Sequence, residues 1–254
     1  MANIMERAID ILSEPIWASA YDCSEVYNEE DLENFDYHSG VSKVVIVLED
    51  CVVKKAFSGY ANDWDDEAEA YLEEPEYKEY DIDFCEVEYD VYLQAVKEGV
   101  GKFFAETSLT DGMGVYKQEK CDIDLEDFHY NVAYGINSTG TLAEQAERDI
   151  YDYNVDPAFV KEAEMLQDGD LLAICNGLGL TSFGRRTRHS LTTAYFLAYY
   201  EINELKCLQR FMDVYDINDI HACNAGFFNG VPKIYDFCGY ESETPSKIKK
   251  ELKS

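Results

Sequence analysis

Basic residues are scarce in this sequence. The chain of 254 residues has 21 Lys and Arg against 52 Asp and Glu, and its formal net charge is −31 at pH 7. A surface this acidic repels duplex DNA, RNA and anionic membranes, so we expect no direct nucleic-acid partner and no membrane partner. The charge permits a basic protein partner, a cationic small substrate or mimicry of nucleic acid, and adaptation of the host to salt is a further explanation.

Long apolar runs and paired cysteines are also missing. No window approaches the roughly 18 to 20 apolar residues needed to cross a bilayer, and the N-terminus lacks the apolar run of a signal peptide. The 8 cysteines are scattered, without a Cys-x-x-Cys pair or a His partner at metal-site spacing. We therefore predict a cytoplasmic protein whose thiols are reduced and buried.

Aromatic residues, by contrast, are abundant. The chain has 13 Phe and 20 Tyr, and 46% of its residues are hydrophobic. A disordered acidic chain would be poor in aromatic residues, so the sequence predicts a folded protein. Its length fits one large domain or two lobes, with ample material for a core.

A β-hairpin is predicted near the end of the chain. Asn229-Gly230 separates two short apolar runs, 225–228 and 231–235. Asn-Gly between such runs is a strong hairpin signal, because both turn positions need positive φ.

This hairpin is flanked by oxygen-bearing side chains. Asp219 and Asn224 precede its first strand and Asp236 follows its second strand. We expect the three side chains to converge at one end of the hairpin, where such hard oxygen ligands suit Mg²⁺ bound together with a phosphate. The alternative is a surface hairpin with ordinary Asp and Asn turn residues.

The remaining segments alternate between helical and strand-like periodicity. Predicted helices cover residues 3–12, 63–74, 84–98, 159–166 and 191–212, and predicted strands cover residues 43–48, 51–57, 101–107 and 114–121. The pattern is typical of an α+β protein. Residues 185–189 form a basic island that either binds a phosphate, binds an acidic partner or neutralises local acid.

The C-terminal pattern resembles a known family. Asp219 lies five residues before Asn224, and Asp236-Phe237-Cys238 follows the hairpin, as in the catalytic and metal-binding loops of the protein-kinase-like superfamily. His221 completes Asp-x-His-x-x-Asn, which is similar to the small-molecule (aminoglycoside- and choline-type) kinases. Ile217 stands where the family has a loop-bracing His, and Cys238 stands where it has Gly.

The resemblance extends to the N-terminal half. Lys54, at the end of Val-Val-Lys, looks like the strand lysine of kinases, and strand alternation would then direct Lys55 to solvent. The alternative is that both are surface lysines on an edge strand. The helix 84–98 would carry the glutamate that pairs with Lys54. Glu88 is preferred because residues 88–92 resemble the family's Glu-x-x-Val-Tyr arrangement, and Glu86 is the competing candidate.

The resemblance implies roles for ten residues. Lys54 would bind the phosphates of ATP and be positioned by Glu88, while Asp219 would accept the proton of the substrate hydroxyl or orient it. The implied Mg²⁺ ligands are Asn224 and Asp236, the implied phosphate-covering loop includes Ser39, Gly40 and Ser42, and the implied adenine contacts are backbone groups near Glu119 and Cys121.

The resemblance also implies a fold and an activity. We expect a bilobal kinase-like α+β fold, with an N-terminal lobe at 1–121 and a reduced, mainly helical C-terminal lobe at 122–254. The N-terminal lobe would hold an N-terminal helix, a five-stranded antiparallel sheet and the Glu-bearing helix. The expected activity is ATP- and Mg²⁺-dependent phosphoryl transfer to an unknown hydroxyl acceptor, either a small molecule or a protein.

A catalytically inactive protein is the alternative. After residue 240 too little sequence remains for the helices that hold a peptide substrate in kinases. A pseudokinase or acidic binding protein, including a DNA mimic, would use its charge to bind a basic protein. The small size and acidic, Tyr-rich composition resemble short kinase-like proteins encoded by bacteriophages, which would act in the host cytoplasm.

Overall fold

The computed structural model describes residues 3–27, 30, 32–65, 70–121, 123–135 and 138–237. Over these residues the protein has mixed α+β structure with antiparallel sheets, which confirms the predicted class. The chain divides into two compact units. The first unit comprises the residues up to Tyr89 together with Thr107–Lys120, and the second comprises Asp90–Glu106 and the residues from Cys121 onward.

The first unit contains two sheets. Its elements are helix α1 (Ile4–Ser13), strands β1 (Trp17–Ser19), β2 (Val26–Tyr27), β3 (Tyr37–Ser39), β4 (Lys43–Val47), β5 (Cys51–Ala56), β6 (Gly59–Asp65) and β7 (Ala70–Glu79), helix α2 (Phe84–Lys97), which continues into the second unit, and strands β8 (Thr107–Leu109) and β9 (Val115–Glu119). The five-stranded sheet has the order β3-β4-β5-β9-β8, with every pair antiparallel. The four-stranded sheet has the order β2-β1-β6-β7, and β1 pairs with β6 in parallel.

One face of the five-stranded sheet forms the main core of the first unit. Val44, Ile46 and Val53 are buried on this face, where they pack with Ala8 and Leu12 of α1. Burying an aliphatic side chain contributes about 1.5–3 kcal/mol, so the alternation of apolar residues along β4 and β5 directs the sheet onto α1. The predicted strands at residues 43–48 and 51–57 and the predicted N-terminal helix are confirmed.

The described residues of the acidic segment 63–74 are not helical, contrary to the prediction. They contribute to β6 and β7, which pair antiparallel with Trp64 opposite Tyr71. β6 also pairs with β1, a partner more than thirty residues earlier in the chain, through Trp17 opposite Gly59. Local helix propensity contains no information about such a distant pairing partner, which explains the wrong prediction. Residues 66–69 of the predicted helix lie outside the described part of the chain.

The predicted strand 101–107 is also mostly wrong. Gly101–Phe103 forms a short 3₁₀ helix, and only the last predicted residue belongs to β8. Phe103 packs 4.5 Å from Tyr200 and Phe104 packs 4.9 Å from Phe237, measured between ring centroids within the second unit. Burial of two consecutive aromatic rings overrides the alternating pattern here, because in a strand they would point to opposite faces.

The second unit is mainly helical over its described residues. Its elements are α3 (Leu125–Gly135), α4 (Thr141–Asp152), α5 (Pro157–Gln167), α6 (Leu171–Leu178), α7 (Thr181–Arg186), α8 (Leu191–Tyr199), α9 (Ile202–Tyr215), a 3₁₀ helix (Ala222–Asn224), and strands β10 (Ala225–Phe228) and β11 (Val231–Ile234). Phe128 and Tyr195 contact Phe227 of β10 with ring centroids 4.6 Å and 5.6 Å apart. This aromatic cluster anchors β10 against the helices.

The single helix predicted for 191–212 is two helices in the structure. Tyr200 has extended backbone angles and interrupts it, and its hydroxyl donates to the backbone oxygen of Pro232 at 2.7 Å. Glu201 then begins α9 with a capping box that it forms with Glu204. The cap and the buried tyrosine contact stabilise the break, although the apolar positions continue through it.

The described residues include seven of the eight cysteines. These seven are free thiols, and Cys23 and Cys223 are exposed, contrary to the predicted burial. Cys238 lies outside the described part of the chain. No helix within that part is long and apolar enough to cross a membrane.

Candidate functional site

A buried ion pair lies on the second face of the five-stranded sheet. Lys54 of β5 and Glu88 of α2 are 2% and 0% exposed, and the Lys54 ammonium contacts Oε2 of Glu88. Glu86 is only half-buried, and its backbone N–H donates to Oδ1 of Asp83 at 2.9 Å at the start of α2. Of the two candidate glutamates, Glu88 is therefore the one that binds the strand lysine.

A second lysine joins this pair. The Lys43 ammonium contacts Oε1 of Glu88, so both oxygens of one carboxylate bind lysines from neighbouring strands. Lys43 was not among the residues selected from the sequence. The pairing register of β4 and β5 would have shown that Lys43 shares a face with Lys54. Lys43 lies opposite Ala56 and Val45 lies opposite Lys54, so Lys43 and Lys54 are on the same face of the sheet.

The surroundings of this cluster are apolar. Cys85 is buried beside it with Ala56 and Tyr116, and burial raises the pKa of the Cys85 thiol far above its usual range. A carboxylate in such surroundings is stable only when paired with cations, which explains why Glu88 binds two of them.

Lys55 does not point to solvent, contrary to the prediction. It is buried, and its ammonium donates to the backbone oxygen of Met113. Burial lowers the pKa of the Lys55 ammonium, and the nearby Asp83 carboxylate opposes that change. The edge-strand alternative for Lys54 and Lys55 is wrong as well, because β5 is the central strand of its sheet.

The predicted phosphate-covering loop is the turn between β3 and β4. The Ser39 hydroxyl donates to the backbone oxygen of Ser24, and the Gly40 N–H donates to the backbone oxygen of Lys43 at 3.0 Å. Ser42 is buried, and its backbone oxygen accepts from Phe57 at 3.0 Å. The loop therefore leads directly into the residue that begins the lysine cluster.

The predicted adenine-contacting residues lie at and just after the end of β9. Glu119 ends β9 opposite Cys51, and Cys121 is half-buried at the beginning of the second unit's longer segment.

The C-terminal hairpin forms as predicted. β10 and β11 pair antiparallel, and Asn229 and Gly230 have φ of 50° and 76°, the left-handed values that an Asn-Gly turn requires. Gly226 of β10 passes so close to Ile123 that a Cβ would overlap the backbone oxygen of Ile123. This contact places the start of the hairpin against the segment that precedes α3.

Asn224 links the other two oxygen-bearing residues. Its side-chain amide donates to the backbone oxygen of Asp219 at 2.7 Å, and its own backbone oxygen accepts the N–H of Asp236 at 3.2 Å. Asp219, Asn224 and Asp236 are thus gathered at one end of the hairpin. The amide oxygen of Asn224 and the carboxylate of Asp236 are the kind of hard oxygen donors that Mg²⁺ prefers, so these residues fit the ion chemically. Among the described residues, no group of three or more His, Cys, Asp and Glu side chains is arranged to hold a metal ion.

The carboxylate of Asp219 forms an ion pair with Arg188. Asp219 has left-handed backbone geometry with φ of 63°, and Arg188 follows the helix α7 with φ of 56°. The predicted proton acceptor is therefore held by a residue of the basic island at 185–189.

Arg186 braces the loop that leads to Asp219. It is 9% exposed, and it donates to side-chain oxygens of Asp213, Asp216 and Asn218 and to the backbone oxygen of Ile217, at distances of 2.6–3.1 Å. Ile217 itself is fully buried. A residue of α7 thus braces the loop before Asp219. Of the three roles considered for the basic island, neutralisation of local acid describes Arg186 and Arg188.

Cys223 lies within the same loop, and its thiol contacts a carboxylate. Its thiol hydrogen-bonds Oε2 of Glu126 at 2.9 Å, and that contact raises the pKa of Cys223 to about 12. A raised pKa disfavours the thiolate, which is the nucleophilic form of cysteine.

Comparisons of this chain with family models, curated proteins and solved structures found no match.

Replacing Arg186 with methionine should lower the free energy of unfolding by about 3 kcal/mol, because Asp213 and Asp216 lose their buried cation and the oxygen of Ile217 loses its donor. Urea denaturation measures this change. Arg185→Met is the matched control, since Arg185 is the exposed neighbour on the same helix, and we expect it to cost less than about 0.5 kcal/mol. Equal losses in the two variants would contradict the bracing role of Arg186.

Proposed function

We propose that the protein is an ATP- and Mg²⁺-dependent phosphotransferase with a bilobal kinase-like fold, acting on a hydroxyl acceptor. The buried pair of Lys54 and Glu88 is the observation that carries the proposal. A lysine on the third strand of a five-stranded sheet, bound to a glutamate on the helix between the third and fourth strands, is the arrangement that positions a lysine on nucleotide phosphates in kinases.

The proposal also assigns roles to residues of the second unit. Asp219 would accept the proton of the acceptor hydroxyl or orient it, and the hydrogen bond from Asn224 to its backbone would hold it in place. Asn224 and Asp236 would hold Mg²⁺, which when bound neutralises charge on the phosphate oxygens. In this proposal the protein contributes mainly positioning and charge neutralisation, which supply most of the acceleration in phosphoryl transfer.

The proposal assigns nucleotide contacts to five further residues. The turn at Ser39, Gly40 and Ser42 would cover the phosphates, and backbone groups near Glu119 and Cys121 would bind adenine. The Asp-x-His-x-x-Asn form of the loop favours a small-molecule acceptor over a peptide. The proposed lobes are 1–121 and 122–254.

Nucleotide binding should depend steeply on Mg²⁺. The protein carries a net charge of −31, so an ATP analogue needs the metal to offset repulsion from the carboxylates around it. Calorimetry with a non-hydrolysable ATP analogue is expected to show affinity at least about tenfold higher in Mg²⁺ than in excess chelator, a difference of about 1.4 kcal/mol.

Two variants control this measurement. Asp236→Asn should remove most of the Mg²⁺-dependent gain. Asp156→Asn removes the same charge at the N-terminus of α5, where asparagine caps the helix equally well, and it should leave the gain in place. Equal affinity of the wild type with and without Mg²⁺ would rule out the proposed site.

A pseudokinase or acidic binding protein is the second candidate. The ion pair between Arg188 and Asp219 favours it, because this contact occupies the carboxylate that catalysis requires. Such a protein would bind a basic partner tightly, and the complex would weaken steeply with salt. A γ-phosphate transfer assay, paired with partner capture at low and high salt, separates the candidates: transfer without capture supports the enzyme, and salt-sensitive capture without transfer supports the binding protein.

A further inference from the structure

Two lysines, rather than one, contact Glu88, the glutamate of the proposed nucleotide site. Lys43 and Lys54 come from adjacent antiparallel strands, and each ammonium binds a different oxygen of Glu88. Lys43 is 6% exposed. A lysine is rarely buried this deeply, because burial restricts a long side chain and removes water from its charge. The burial of Lys43 therefore suggests that this lysine has a function.

The strand register keeps the two ammonium groups together. Val45 is a neighbour of both lysines on this face, since it follows Lys43 by two residues on β4 and pairs with Lys54 of β5. Both side chains therefore rise from the same face as diagonal neighbours, within reach of one α2 side chain. Lys43 also comes directly after the turn at residues 39–42, which would cover the phosphates.

We propose that Lys43 is a second phosphate-binding lysine and that Glu88 positions both lysines on a polyphosphate chain. This inference rests on the proposed function for the identity of the nucleotide. An ammonium group has three N–H donors, so one lysine can bind a carboxylate oxygen and a phosphate oxygen at the same time. Two adjacent ammonium groups match the successive charged groups of a di- or triphosphate, and they offer no comparable advantage to an uncharged nucleoside.

Calorimetry on three proteins tests the proposal: the wild type, Lys43→Met and Lys117→Met. Lys117 is an exposed lysine of β9, so its substitution changes the net charge equally without touching the cluster. The probes are a non-hydrolysable ATP analogue with Mg²⁺, adenosine, and inorganic tripolyphosphate.

We expect Lys43→Met to weaken binding of the ATP analogue and of tripolyphosphate about 10- to 100-fold, the usual effect of losing a charged hydrogen bond. Its affinity for adenosine should stay within about threefold of the wild type, and Lys117→Met should change all three affinities by less than about threefold. A purely structural role for Lys43 would weaken adenosine binding as well, so losses shared by all three probes would overturn the proposal.

The probes also distinguish failure of this inference from failure of the proposed function. If the wild type binds the ATP analogue and Lys43→Met behaves like Lys117→Met, the lysine inference fails and the phosphotransferase proposal stands. If the wild type binds tripolyphosphate through Lys43 but binds no nucleotide, the lysine pair stands and the phosphotransferase proposal fails. A wild type that binds neither overturns both.

A second measurement covers the case in which Lys43→Met does not fold. Lysine side-chain NMR of the ¹⁵N-labelled wild type observes the buried ammonium groups directly, with Lys43 assigned by comparison with Lys43→Arg. Tripolyphosphate should shift the Lys43 resonance while leaving that of Lys117 in place. A Lys43 resonance that does not move at saturating tripolyphosphate would contradict the proposal.

Discussion

Replacing Glu88 with glutamine is expected to lower the free energy of unfolding by about 3–5 kcal/mol, the usual result of removing one member of a buried ion pair. The substitution preserves the size of the side chain but removes its charge. Lys43 and Lys54, 6% and 2% exposed, would then remain as buried cations without the carboxylate that binds both. The loss should exceed that of an ordinary surface change several-fold.

Urea denaturation measures the loss, and Glu86→Gln is the matched control. Glu86 lies on the same helix and undergoes the same chemical change, but it is half-buried, whereas Glu88 is fully buried and binds both lysines. We expect the control to cost less than about 1 kcal/mol. If the two variants were equally stable, Glu88 would not be the residue that holds the lysines.

Replacing Asp219 with asparagine should reduce phosphoryl transfer by about a hundredfold to ten thousandfold, the range attributed to a general base. Asparagine cannot accept the hydroxyl proton. It does tolerate the left-handed φ of 63° that Asp219 adopts, so the loop conformation should survive. The affinity for the ATP analogue should stay within about threefold of the wild type.

Rapid-mixing assays with radiolabelled ATP measure this effect, and circular dichroism verifies the fold. Asp156→Asn is again the matched control, because it removes one carboxylate at a helix cap and should leave the transfer rate unchanged. Undiminished turnover in Asp219→Asn would remove Asp219 from the mechanism. A protein without transfer activity in either form would favour the binding-protein alternative.

Sequence patterns predicted those elements whose cause is local. The hairpin at 225–234 was predicted from Asn229-Gly230, because few other residue pairs adopt positive φ twice in succession. The strands at 43–47 and 51–56 were predicted from alternating β-branched residues, which fit a half-buried pleated surface.

The wrong predictions share a different cause. Residues 63–65 and 70–75 belong to strands because β6 pairs with β1, which lies far away in the sequence. The helix at 191–212 breaks at Tyr200, whose hydroxyl binds Pro232 some thirty residues later. In both cases a distant contact outweighs a local preference that is worth only a fraction of a kcal/mol per residue.

The candidate site shows the same division. Lys54, Glu88, Asp219, Asn224 and Asp236 could be selected from their order and spacing, but the side chains that hold them could not. Lys43 and Lys54 reach Glu88 across 45 and 34 positions of sequence, and Arg188 reaches Asp219 across 31. With 52 acidic residues and 21 basic ones, the sequence permits many such pairs and distinguishes none of them.

The sequence by itself determined the α+β class, the turn at Asn229-Gly230 and the alternation that buries one face of the central sheet, since backbone preference and side-chain periodicity act between near neighbours. Only the tertiary structure decided that one glutamate binds two lysines and that Arg186 braces the loop before Asp219. Charge attracts without regard to position in the chain, so the pairs that form are those that the packed strands and helices bring within reach.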